Sequence, residues 1–221
     1  MIEKLLVIAA HPDDEVLGCG GLISRTVRNG GDVVVLILTE GSSTQYPDRP
    51  DLITKKEEEA RAALAALGGG SLEFGGLPDM ALSTLAPAEV SGPVEKAVAR
   101  HRPDWVAVHH HGDLNRDHQV AHEATRVACR PGSGSPRRLI SYETLSSTEW
   151  GPGLWRPDLY VSLEAGDVAR KVEAMECYET EVRSWPHPRS GPAIRHLAAT
   201  RGAQAGFNAA EAFSTVWEWV P

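Results

Sequence analysis

Two short apolar runs, Leu5-Leu6-Val7-Ile8-Ala9-Ala10 and Val33-Val34-Val35-Leu36-Ile37-Leu38, constrain this chain more than any other feature. Neither alternates with polar residues, so each reads as a strand buried on both faces. Both are too short to cross a membrane. Residues 17–29 between them read as a helix stopped by Gly30-Gly31. The alternation continues along the chain. A helix is predicted over 55–67, with Ala60, Ala63, Leu64 and Leu67 at helical spacing before Gly68-Gly69-Gly70. A short strand over 71–74, a helix over 89–101 and a strand over 105–109 follow. Next come a helix over 117–129, strands over 139–142 and 159–161, and helices over 168–179 and 193–201. Residues 42–52 and the Pro-rich 186–192 read as loops. Strands alternating with helices predict an α/β fold with a mainly parallel sheet flanked by helices. In such sheets ligands bind beyond the carboxyl ends of the strands.

The chain has 221 residues, which predicts a single domain over 1–221. An apolar fraction of 42% and a charged fraction of 24% are those of a globular protein, not a disordered or fibrous one. A net charge of −8 argues against nucleic acid as a partner. The three cysteines (Cys19, Cys129, Cys177) are odd in number and far apart, so no disulfide scaffold or zinc ribbon is expected. No run approaches membrane-spanning length, and His11-Pro12-Asp13-Asp14-Glu15 after the first run is not a cleavage site. The expectation is a cytoplasmic protein with a small-molecule substrate and no membrane partner; a homo-oligomer stays open.

Two polar clusters fall at predicted strand ends. In the first, an imidazole and three carboxylates crowd into residues 11–15. Carboxylates this close repel unless a cation or a helix N-terminus offsets them. Pro12 favours an extended His11 and suits the first turn of a helix. His11 and Asp14 can then share a side while Asp13 projects beside them, outside the same ligand set. Imidazole plus carboxylate is an ordinary zinc ligand set. A carboxylate left free beside the ion can take a proton from water. The plainer reading is a solvated acidic helix start.

The second cluster, residues 109–122, holds five of the nine histidines. His118 and His122 share a helix face at i, i+4, as in a zincin pair, but Gln119 stands where that motif needs glutamate. Alternatively His118 alone is a third ligand beside His11 and Asp14, with Asp113 and Asp117 orienting an imidazole or a neighbouring stretch of backbone. His109, His110 and His122 are then packing residues.

Ala10-His11-Pro12-Asp13-Asp14-Glu15 after an apolar strand, with Asp117-His118 opening a helix about a hundred residues on, resembles the LmbE-like (PIG-L) zinc-dependent N-deacetylase family. Thr39-Glu40-Gly41 and Leu77-Pro78-Asp79 fit its pattern. Pro186-His187-Pro188-Arg189-Ser190 and the stretch from Arg201-Gly202 to Phe213 resemble the C-terminal segment of one bacterial branch. The resemblance implies a single Rossmann-like domain and one zinc per chain held by His11, Asp14 and His118. It also implies Asp13 as the catalytic carboxylate, and removal of acyl groups from amides such as N-acetylglucosamine-type sugars. Family members often carry a histidine, linked to the oxyanion, where this chain has Asn115. An amide donates a hydrogen bond but moves no proton at neutral pH. Asp13 is therefore expected to serve both proton steps, with His187 as an assistant from the C-terminal loop. Arg189 is a candidate for an anionic part of the substrate, or else caps a helix or pairs with surface acids.

Two other functions compete. Gly18-Cys19-Gly20-Gly21 after the first strand can suggest a non-catalytic phosphate- or nucleotide-binding module, but its spacing is not Gly-x-Gly-x-x-Gly. These glycines read instead as sites of close helix packing. A zinc hydrolase acting on a non-sugar amide or an ester is the other. Tyr46, Trp150, Trp155 and Trp185 lie in predicted loops, where they can stack on sugar faces or pack.

Overall fold

The computed structural model describes residues 2–132 and 134–219. The strands are β1 (Lys4–Ala9), β2 (Asp32–Thr39), β3 (Ser71–Leu77), β4 (Trp105–His109), β5 (Arg138–Tyr142), β6 (Leu159–Ser162) and β7 (Ala210–Glu218). The helices are α1 (Asp14–Arg28), α2 (Asp51–Ala66), α3 (Pro87–His101), α4 (Arg116–Ala128), α5 (Ala165–Cys177) and α6 (Gly191–Ala205). The strands form one mixed sheet in the order β3-β2-β1-β4-β5-β7-β6. The first five in that order are parallel, and β7 runs antiparallel to both β5 and β6.

The unbroken apolar runs follow from this architecture. Leu5, Val7 and Ala9 face a core shared with α1, α2, α5 and α6. Leu6, Ile8 and Ala10 face a second core shared with α3 and α4. Period-two alternation therefore puts an apolar side chain on each face at every position.

The glycines of α1 mark close packing. A Cβ on Gly18 would lie 2.1 Å from the Tyr142 ring, and one on Gly21 would lie 2.4 Å from Leu163. The Glu211 carboxylate reaches across from β7 to accept the backbone N–H groups of Gly21 and Leu22, each at 2.7 Å. Lys171 of α5 donates to Glu211 at 2.7 Å and to the Leu17 carbonyl at 2.8 Å. This buried ion pair has every charge hydrogen-bonded, which is the condition for burying charge at tolerable cost. Cys19, Cys129 and Cys177 are free thiols.

Several boundaries differ from the sequence reading. Helix α1 begins at Asp14, three residues earlier than expected, with Asp13 at the N-cap position in a left-handed conformation at φ 105° and making no side-chain capping bond. Helix α2 starts at Asp51, inside the expected loop, and α5 and α6 also begin early. Strand β3 runs on to Leu77 through Gly75-Gly76. Strand β7 was not anticipated, and its insertion between β5 and β6 makes the far edge antiparallel.

Candidate active site

Strands β2 and β4 flank β1 on opposite sides, so the chain reverses its winding between β1 and β4. This switch point leaves a crevice beyond their carboxyl ends. The segment leaving β1 supplies residues 11–15, and the segment from β4 into α4 supplies residues 110–118. Here lies a polar pocket of about 270 Å³ whose wall includes His11, Asp13, Asp14, Asp79, Asn115 and His118. A wider cleft of about 420 Å³ opens near the other ends of the strands, among Arg25, Trp105, Arg138 and Trp219. Its arginines are engaged, Arg25 by Ser162 and Arg138 by Glu218.

Three ligand-type atoms converge in the first pocket. His11 Nδ1 lies 3.2 Å from Asp14 Oδ2, His118 Nε2 lies 3.3 Å from the same oxygen, and the two nitrogens are 3.3 Å apart. A tetrahedral zinc with bonds of about 2.0–2.1 Å separates its ligand atoms by about 3.3 Å. The triangle therefore fits a zinc-sized ion without rearrangement. Among the described residues His11, Asp14 and His118 are the one such cluster.

Groups behind the triangle hold it in place. Asp117 Oδ2 sits 3.3 Å from His11 Nε2, and its other oxygen accepts the Leu82 N–H. Asp113 Oδ1 lies 3.1 Å from His118 Nδ1, close but off the line of a full hydrogen bond. Asp113 is itself fixed by Ser147, Thr148 and the Asn115 N–H. A carboxylate behind each imidazole is the usual way a metal-binding histidine is oriented.

The carboxylates here favour positive charge at the two imidazoles. Burial alone would lower the His11 pKa, but Asp117 and Asp14 outweigh it and lift it to about 10. Burial is likewise overcome at His118 by Asp14 and Asp113, giving about 9. Burial opposes the Asp14 charge too, yet His118 holds that carboxyl well below its usual range. Positive charge is stabilised where the three atoms meet, and a divalent ion would supply it.

Asp13 lies beside this triangle and outside it. Burial, with the charges of Asp14 and Glu181, pushes its carboxyl well above the usual range against the pull of Arg189. Asn115 caps α4: its side-chain oxygen accepts the Asp117 N–H at 2.8 Å. Among the described residues its Nδ2 meets only the Met80 sulfur, at 3.7 Å, which leaves it a donor available to the pocket.

Arg189 lines the pocket, but Asp13 and Glu181 already compensate its guanidinium. His187 is not in the wall; its Nδ1 accepts the Arg189 backbone N–H at 3.1 Å. Three lining residues were not singled out from their own chemistry: Asp79, Lys56 and Glu181. Asp79 Oδ1 is 3.7 Å from His11 Nε2, and its Oδ2 is buried with no hydrogen-bond partner. Only the Leu77-Pro78-Asp79 pattern signalled it. Lys56 looks like any polar position of a charged helix, and Glu181 like any loop acid.

Among the remaining histidines, His122 Nδ1 donates to the His109 carbonyl at 2.8 Å, which separates it from His118 as a ligand pair. His109 Nε2 accepts the Ala10 N–H at 2.9 Å, so its lone pair is taken.

The fold and donor set define a Rossmann-like α/β protein with a candidate metal centre at its switch point. The chain belongs to the PIG-L family: the family described as PIG-L: GlcNAc-PI de-N-acetylase matches residues 6–129. It is 29% identical over 186 residues to the uncharacterized deacetylase YaiS of Escherichia coli (strain K12), covering 80% of this chain and 91% of that one. It is 26% identical over 227 residues to the diacetylchitobiose deacetylase of Thermococcus kodakarensis, covering 95% and 82%. The fold is also that of GalB, the 4-carboxy-2-hydroxymuconate hydratase of Pseudomonas putida KT2440. There the TM-score is 0.79 at 22% identity, with 100% of this chain and 98% of that one covered. The fold thus carries more than one chemistry, and the site has to supply the functional argument. No helix among the described residues is long and apolar enough to cross a membrane.

Proposed function

We propose that this chain is a cytoplasmic, single-domain, zinc-dependent N-deacetylase acting on a small N-acylated substrate of the N-acetylglucosamine type. The observation that carries the reading is the His11–Asp14–His118 triangle with Asp13 buried beside it and not part of it. The family and the sugar deacetylase among its relatives support the substrate class.

His11, Asp14 and His118 would hold one zinc, with Asp117 and Asp113 orienting the two imidazoles. When bound, zinc supplies a Lewis acid that makes water more acidic and polarises an amide carbonyl. Asp13 accepts the proton of the attacking water as the water oxygen bonds to the carbonyl carbon. Asn115 Nδ2 donates to the carbonyl oxygen as negative charge builds there. Asp13 then returns the proton to the amide nitrogen as the carbon–nitrogen bond breaks, leaving an amine and a carboxylic acid. A carboxyl with a raised pKa suits this double duty, because near neutral pH its carboxylate takes a proton more readily than a fully exposed one and its acid form keeps that proton until the leaving nitrogen accepts it. His187, its Nδ1 held by the Arg189 backbone N–H, would assist from the C-terminal loop.

The test is a screen of the zinc-loaded protein against N-acetylated sugars, sugar phosphates, nucleotide sugars and N-acetyl amines, following free amine and acetate. Equimolar amine and acetate from an N-acetylglucosamine compound is the expected result. Release from non-sugar amides alone would overturn the substrate class, and no release from any amide would overturn the reaction.

A further inference from the structure

Asp13 is held by two tethers from the C-terminal third of the chain. Its backbone N–H is accepted by Glu15 Oε2 at 3.2 Å, and the other Glu15 oxygen accepts the Tyr178 hydroxyl at 2.6 Å. Its carboxylate meets Arg189, whose Nη1 lies 3.3 Å from Asp13 Oδ2. The same guanidinium nitrogen binds Glu181. Glu181 in turn accepts from Lys56 Nζ at 2.7 Å, and Lys56 is anchored on the Gly41 carbonyl at 2.6 Å. Acid and base alternate along this row, so its four charges cancel. Lys56 is 5% exposed, so its end of the row is fixed inside the protein.

The row ends on one oxygen of Asp13. Oδ2 is taken by Arg189, while Oδ1 receives no hydrogen bond from the described residues. The backbone at Asp13 is left-handed at φ 105°, a strained conformation for a residue with a side chain. Such a residue keeps its direction only when its surroundings fix it. A carboxylate next to Asp14 that is free to turn would also be free to join the metal ligands.

We infer that Arg189, braced by Glu181 and Lys56, is a positioning residue for Asp13: it anchors Oδ2, keeps the carboxylate off the metal, and presents Oδ1 to the reacting water. Arg189 is then not a receptor for a substrate anion, because its charge is already spent. The inference rests on the deacetylase reading for its kinetic readout and on the metal site for a separate spectroscopic one.

The experiment compares Arg189→Ala, Arg189→Lys and Glu181→Gln with the unaltered protein. It reads kcat and KM, bound metal per chain, and the visible spectrum of the Co2+-loaded form. Arg189→Ala is expected to lose about a hundredfold in kcat, the scale of a catalytic group displaced by about 1 Å, with KM within about threefold and metal retained. Its Co2+ spectrum should change as Asp13 turns to the ion, and millimolar guanidinium should restore part of the rate. Arg189→Lys and Glu181→Gln should fall between Arg189→Ala and the parent, and they carry the test if Arg189→Ala does not fold. A raised KM at unchanged kcat would make Arg189 a substrate-binding residue and overturn the inference. An unchanged Co2+ spectrum in Arg189→Ala would overturn it too. If the parent hydrolyses no amide, the proposed reaction fails, while the spectrum still reports on the hold of Arg189 over Asp13.

Discussion

His118 and His122 lie one helical turn apart on α4, both about 97% buried, yet they titrate in opposite directions. The His118 pKa rises to about 9, whereas that of His122 falls to about 4. Burial lowers both. His118 faces Asp14 and Asp113, which overcome burial, while His122 has only the His109 carbonyl to its credit and feels His111 and Arg126 against it. The same contrast divides His11, at about 10, from His110, at about 4. A carboxylate oxygen within 3.3 Å of each ring nitrogen sets His11 and His118 apart from the imidazoles that pack neutral; His109, with Asp14 near one nitrogen only and the Ala10 N–H on the same nitrogen, stays low.

The sharpest way to break that contrast is to remove the carboxylate at its centre. Asp14→Ala should lose bound metal and at least about a thousandfold in activity, the scale of several kcal/mol of Lewis-acid stabilisation. Metal analysis of the purified variant checks it, and full occupancy would show that the triangle is not the ligand set. Next in size, Asp13→Asn should keep its metal and lose about 10²–10⁴-fold in kcat, the range for a positioned acid–base group. Near-normal turnover in that variant would remove Asp13 as the base. On the neutral side of the comparison, His122→Ala should keep both metal and turnover. It should cost about 1–3 kcal/mol in denaturant unfolding, because the buried His109 carbonyl loses its donor. Metal loss in His122→Ala would put the two histidines back in one class.

The smallest effect is on stability against pH. Between about pH 6.5 and 4 the unfolded chain protonates His110 and His122 while the folded chain keeps them neutral. The unfolded state then binds more protons, so stability falls as the pH falls through that window. His11 and His118, raised in the metal-free fold, are protonated in both states there and add no slope of their own. Glu15, raised to about 7, and Asp13, also raised, take up protons in the folded chain over the same window and oppose that slope. The histidine contribution is therefore read by difference: the melting temperature of metal-free His122→Ala should fall less from about pH 6.5 to 4.5 than that of the parent. An identical pH profile in the two proteins would mean that His122 is hydrated in solution.

The sequence carried the parallel half of the sheet plainly, because β1, β2 and β4 are apolar on both faces and little else has that pattern. It carried β7 poorly. Glu211, a buried acid, interrupts what would otherwise read as an apolar strand, and its partners Gly21, Leu22 and Lys171 lie far away in the chain. The start of α1 was obscured for a local reason, since a left-handed Asp13 is not the usual cap conformation. His11, Asp14 and His118 were singled out because strand ends and helix starts place them in a known fold. Of the Lys56–Glu181–Arg189 row only Arg189 was singled out: Lys56 lies on α2, Glu181 and Arg189 on the connection from α5 to α6, and only packing brings them into line.

The Glu211 bridge has a consequence for timing. The three groups that would grip the ion are all present once residue 118 has been made, but the brace on the helix bearing Asp14 comes from a strand that begins at Ala210. A nascent chain therefore displays its histidines and carboxylates well before the framework that sets their spacing is complete. A metal site resting on this brace would have its full framework only once Glu211 is in place.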